Sequence, residues 1–145
     1  AVQQGESKDG KWFREGTGLH HILPSGRLIR YQNVSLMPGK FDKPAVKYRR
    51  PLGKNMVWSD TYGGKLTENI CQSVARDVMS DSMLDLDSAG IDLIATVHDE
   101  VIAEADKEKA ELTLEQMESI MRKEKTWSGG LPLGTEGFVS YRFKK

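Results

Sequence analysis

Between Thr61 and Ala89, apolar residues recur with the spacing of one long helix, and this segment constrains the rest of the chain. Leu66, Ile70, Val74 and Val78 return every four residues, and Cys71, Ala75, Met79, Met83 and Leu86 widen the stripe. Glu68, Gln72, Arg76, Asp77, Asp81 and Asp85 fall mainly off it. The pattern predicts an amphipathic helix of several turns, with one face to bury. Ser59, Asp60 and Thr61 offer capping side chains at its start, and Gly90 suits its end.

The flanking segments read mostly as strands. Arg27 to Leu36 follows the turn residues Pro24, Ser25 and Gly26 and alternates. Leu28, Arg30 and Gln32 fall on one side, and Ile29, Tyr31 and Asn33 on the other. Met37 to Asn55 holds three of the five prolines and many cations, and reads as an irregular basic connector. Met56 to Asp60 is a second short strand. After the helix, Ile91 to Ala105 reads as strand, tight turn, strand. Asp106 to Lys125 is a second helix, with Ala110, Leu114, Met117, Ile120 and Met121 as its apolar stripe. Trp127 to Leu133 is a loop, and Phe138 to Phe143 alternates as a terminal strand. Residues 1–18 are Gly-rich and polar, which predicts a mobile or loosely packed extension. The expected class is α+β: an antiparallel sheet with the two helices packed on it.

Composition narrows the setting. Hydrophobic residues make up 38% and charged residues 29%, too apolar for a disordered chain. The single cysteine, Cys71, rules out an internal disulfide framework and points to a reducing, cytoplasmic compartment. Its place on the helix stripe predicts a buried small hydrophobe rather than a nucleophile. No run of about 18 apolar residues suggests a membrane helix. The first residues hold no signal-peptide core and no initiator Met, which fits a processed chain or a piece of something longer. Net charge is zero, yet residues 1–60 carry 11 Lys/Arg against 5 Asp/Glu, leaving 10 against 16 for the remainder. That asymmetry points either to nucleic acid or another acidic partner for the first half, or to two solvated faces.

The chemistry concentrates at His98, Asp99 and Glu100, which interrupt an apolar run. Charged groups are costly to bury unpaired, so these residues form either a solvated turn or a metal site. A tight turn is what brings two consecutive carboxylates near one cation. Oxygen-only ligands suit Mg²⁺, which binds one or two carboxylates together with substrate phosphates. His20, His21 and His98 match no zinc spacing. The "YGGKL" stretch at 62–66 lacks phosphate-loop spacing. Gln72 lies close to the apolar stripe, either as a partly exposed surface amide or as a hydrogen-bonding group for a ligand edge.

"TYGGKLTENICQSVARDVM" followed by "AGIDLIATVHDEVIAEA" resembles the C-terminal palm region of family A DNA polymerases, phage and prophage members above all. "LPSGRLIRYQNVSL" resembles the palm hairpin before the helix in those enzymes, and "WSGGLPLGTEGFVSYRFKK" resembles their C-terminal ending. The resemblance covers about residues 19–145, and these stretches occur in the family's order. It implies a partial polymerase palm subdomain. Asp99 would be the motif C carboxylate for catalytic Mg²⁺, with Glu100 as a supporting acid. His98 would touch the primer-terminal backbone, and Gln72 would read the minor groove at the primer end. Many family members place an asparagine four residues before that glutamine; here Glu68 stands there, with Asn69 beside it. The family also needs a motif A aspartate and a nucleotide-gripping fingers helix, and neither is found here.

The resemblance therefore implies an incomplete enzyme, inactive alone. Its partners would be primer-template DNA, dNTPs and the N-terminal part of the polymerase as a separate chain or missing region. That part would complete the two-metal Mg²⁺ site. The alternative is a catalytically inactive palm remnant that binds DNA or protein. An open sheet edge would also permit a homo-oligomer.

Overall fold

A computed structural model describes residues 11–39 and 44–143. In chain order the elements are β1 (Trp12–Glu15), β2 (Gly18–Ile22), β3 (Leu28–Pro38), β4 (Pro44–Leu52) and β5 (Asn55–Thr61). Then come α1 (Gly63–Ser88), β6 (Asp92–Val97), β7 (Glu100–Glu104) and α2 (Ala110–Met121). The class is α+β, with strands divided between a five-stranded and a two-stranded antiparallel sheet. Two compact units divide within α1, one ending at Val74 and the other starting at Ala75. Among the described residues, no helix is long and apolar enough to cross a membrane.

The first unit is a meander in the order β1-β2-β3-β4-β5, so each strand pairs with its sequence neighbour. One face holds the core. Trp12 lies 4.4 Å from the His21 ring and 6.2 Å from Tyr31, and Tyr31 meets the edge of Tyr48 at 5.1 Å. Leu23 and Tyr31 are almost fully buried. A bulge between Gln32 and Ser35 places Asn33 at φ 49, where Thr17 donates its hydroxyl to the Asn33 side-chain oxygen at 2.7 Å. The expected extension over 1–18 lies outside the described residues up to residue 10. From Trp12 the chain is strand, paired along β2.

The expected irregular connector is corrected where it is described: residues 44–52 are strand β4, paired on both sides. Its prolines do not prevent this, because Pro44 opens the strand and Pro51 lies at its hairpin end, opposite Met56. The expected cap is corrected too. Ser59, Asp60 and Thr61 are laddered to β4, with Asp60 paired to Lys47 at 3.3 Å, and the Tyr62 carbonyl accepts the helix's Leu66 N–H.

Helix α1 turns inward the four-residue row through Leu66, Ile70, Val74, Val78, Ser82 and Leu86, and Met79 and Met83 join it as expected, but in its first half the stripe widens to the other side. Cys71 and Ala75 are exposed, correcting the buried reading of Cys71, while Asn69, Ser73, Asp77 and Asp81 turn inward. Hydrogen bonding outweighs apolarity here. Asn69 donates to the Tyr31 hydroxyl at 2.9 Å, the Ser73 carbonyl accepts from Arg27 at 3.1 Å, and Trp127 Nε1 donates to Asp81 at 2.7 Å.

The helix stops as expected at Gly90, whose φ of 77 suits a residue without a Cβ. Gly90 N–H bonds the Asp87 carbonyl and Ile91 N–H the Leu86 carbonyl, the paired bonds of a Schellman motif. Ile91 and Leu86 are both buried at this closure.

In the second unit, β6 and β7 form a ribbon, and α2 follows. Lys125, nearly buried, reaches Asp85 at 2.7 Å, so two carboxylates one helical turn apart on α1 anchor the loop after α2. The expected terminal strand at 138–143 is corrected: it pairs in no ladder among the described residues. The segment just before it is tied to α2 instead. Arg122 bonds both Glu118 and the Thr135 carbonyl, and a Cβ on Gly137 would meet Leu114 at 2.5 Å.

Candidate functional site

Val97 pairs with Glu100, so His98 and Asp99 are the two loop residues of the β6–β7 hairpin. A two-residue connection matches the twist of its strands only with positive φ in the turn, which usually selects glycine. His98 takes that place at φ 56, a conformation that histidine tolerates better than most side chains. The turn therefore exists without glycine, as the apolar runs on either side required.

His98, Asp99 and Glu100 are all exposed and lie together at this tip. No ion pair or side-chain hydrogen bond occupies either carboxylate among the described residues. Glu100 also borders a largely apolar cleft of about 280 Å³ with Ile102, Leu114, Met117 and Phe138. Two adjacent hard oxygen donors open to solvent fit Mg²⁺, which keeps water or phosphate in its other positions. Among the described residues, no three His, Cys, Asp or Glu side chains gather as a metal cluster, so the turn offers two donors and no third.

Asn69 and Gln72 belong to the first unit and the turn to the second. Gln72 is exposed on α1 between Glu68 and Arg76. Asn69 is half-buried, and its amide is committed to Tyr31. Burial pushes the Tyr31 phenol above its usual pKa, and the Asn69 hydrogen bond partly opposes this.

Sequence reasoning missed a third feature, the outer face of the five-stranded sheet. Register places Phe13, His20 and Arg30 on one face, and Gln32, Arg49 and Trp58 continue it. The alternation of Arg30 and Gln32 against Tyr31 was a readable signal. Arg49 falls in the segment expected to be a connector, which hid its pairing with Gln32 and Trp58. Arg49 lies over the Trp58 ring at 5.7 Å, and Phe13 stacks on His20 at 5.1 Å.

No family model matches the chain, and no solved structure matches it. Over 140 residues, 94% of its length, the chain is 40% identical to a DNA polymerase of Bacillus phage SP02, and it spans 21% of that protein.

Proposed function

We propose that the chain is a piece of a DNA-directed DNA polymerase of family A, supplying the palm hairpin whose turn carries metal-binding carboxylates. The 40% identity to a phage DNA polymerase over 140 residues carries this reading. The exposed, unpaired Asp99 and Glu100 support it chemically. In this reading both carboxylates would hold Mg²⁺, an ion that binds one or two carboxylates together with substrate phosphates. When bound, the metal ions activate the primer 3′-hydroxyl and offset charge on the leaving pyrophosphate. His98 meets the primer-terminal backbone from its turn. Gln72 offers a free amide to the minor groove at the primer end. Asn69, tied to Tyr31, holds its stretch of α1 against the sheet beside that contact. A motif A carboxylate and a nucleotide-gripping helix come from a partner chain or from the rest of a longer polymerase.

Primer extension with Mg²⁺ and dNTPs tests this. The chain alone is expected to add no nucleotide, and extension is expected once the remaining polymerase segments are supplied. Asp99→Ala should then lower the rate about a hundredfold or more, the scale set by misplacing a reacting group. Extension by the chain alone, or full activity in the variant, would overturn the reading. A completed enzyme that stays inactive would favour a binding module instead.

A further inference from the structure

We propose that the face of the β1–β5 sheet bearing Phe13, His20, Arg30, Gln32, Arg49 and Trp58 binds single-stranded nucleic acid. The site uses residues of the first unit alone, and the inference does not depend on the polymerase reading.

Three observations converge on it. First, the strand registers put all six side chains on one face, opposite the face that buries Tyr31 and His21. Second, most of that face is open and partly apolar: Trp58 is 44% exposed, Met56 40% and Ile22 37%, and Arg30 and Gln32 are exposed beside them, whereas His20 is largely covered where Phe13 stacks on it. Third, its guanidinium charge is not spent internally. Lys47 is paired with Asp60 at 3.3 Å, and Glu15 approaches His20 at 3.9 Å, but no described carboxylate pairs with Arg30 or Arg49. The sheet as a whole reinforces this, with eight Lys/Arg against two Asp/Glu across the described residues of 11–61.

The arrangement selects a chemistry. Aromatic rings at both ends of a basic sheet offer stacking surfaces for bases and cations for the phosphates between them. Phe13 on β1 and Trp58 on β5 are four strand spacings apart, roughly 19 Å, which suits a few unstacked nucleotides crossing the strands. Bases already stacked in a duplex cannot use these rings. An acidic protein would satisfy the arginines but gain little from Trp58. Arg49 is held in place by a hydrogen bond to the Met56 carbonyl at 3.3 Å, so the Trp58–Arg49 pair is organised before any ligand arrives.

Fluorescence anisotropy with a labelled 12-mer oligothymidylate tests the proposal on the full chain. The single strand is expected to bind more tightly than a duplex of equal length. Trp58→Ala should weaken single-strand binding about tenfold, within the range for one lost stacking contact, and Trp58→Phe should largely preserve it. Arg30→Ala should weaken binding and reduce the salt slope by about 0.7, one phosphate contact on a single strand. Arg30 sits at an exposed strand position, so this variant keeps the test decisive if Trp58→Ala loses its circular dichroism spectrum. Equal affinity for duplex, equal displacement by polyglutamate of the same charge, or unchanged binding in folded Trp58→Ala and Arg30→Ala would each overturn it.

Discussion

Asn69 and Gln72 sit three residues apart on one helix, yet the structure gives them opposite relations to the fold. The Asn69 amide donates to a buried phenol, so Asn69→Ala leaves the Tyr31 hydroxyl without that donor. This should cost about 1–3 kcal/mol of stability, read by chemical denaturation. It should also raise the Tyr31 pKa further, because the hydrogen bond that lowers it is gone. Gln72→Ala, at an exposed position, should change stability by less than about 0.5 kcal/mol. Any effect of Gln72 should appear in primer extension alone. The amide at 72 was legible in the sequence as a candidate ligand contact. Asn69's partner was not, because Tyr31 lies 38 residues away and nothing local announces the pairing.

Elements that follow a local rule were the legible ones. The α1 period, its stop at Gly90 and the β6–β7 hairpin all follow from short-range geometry. Gly90→Ala should cost about 1 kcal/mol through backbone strain, since no heavy atom stands within 4 Å of the added Cβ. Denaturant midpoints would show it. The rotation of α1 was illegible because long-range hydrogen bonds set it. Asp85 shows why. The hydrogen bond from Lys125, then its charge, holds this carboxyl below the usual aspartate range. A lowered folded pKa means the pair stabilises above the ordinary value near 3.9 and is lost as pH falls through the folded value. Asp85→Asn should therefore melt lower than the parent at pH 7, and the gap should close as pH falls through the lowered Asp85 value. Strand β4 was missed because prolines at strand ends look like prolines in loops. The terminal segment was misread because alternation alone cannot supply a ladder partner.

At the scale of the whole molecule, the charge asymmetry in the sequence takes a physical place. The basic half is the five-stranded sheet, and the carboxylates of the acidic half include the hairpin tip and the anchors of the loop after α2. The chain spans 21% of the phage polymerase it resembles. The strand order has a further consequence, in how the chain trades amide protons with solvent. Among the described residues, β2, β3 and β4 have a neighbour on each side, β1 and β5 have one, and β6–β7 stands as a two-stranded ribbon. Local opening is easiest where fewest neighbours must part. In deuterated buffer, mass spectrometry should find the ribbon and its turn labelled first, the outer strands next, and β3 last.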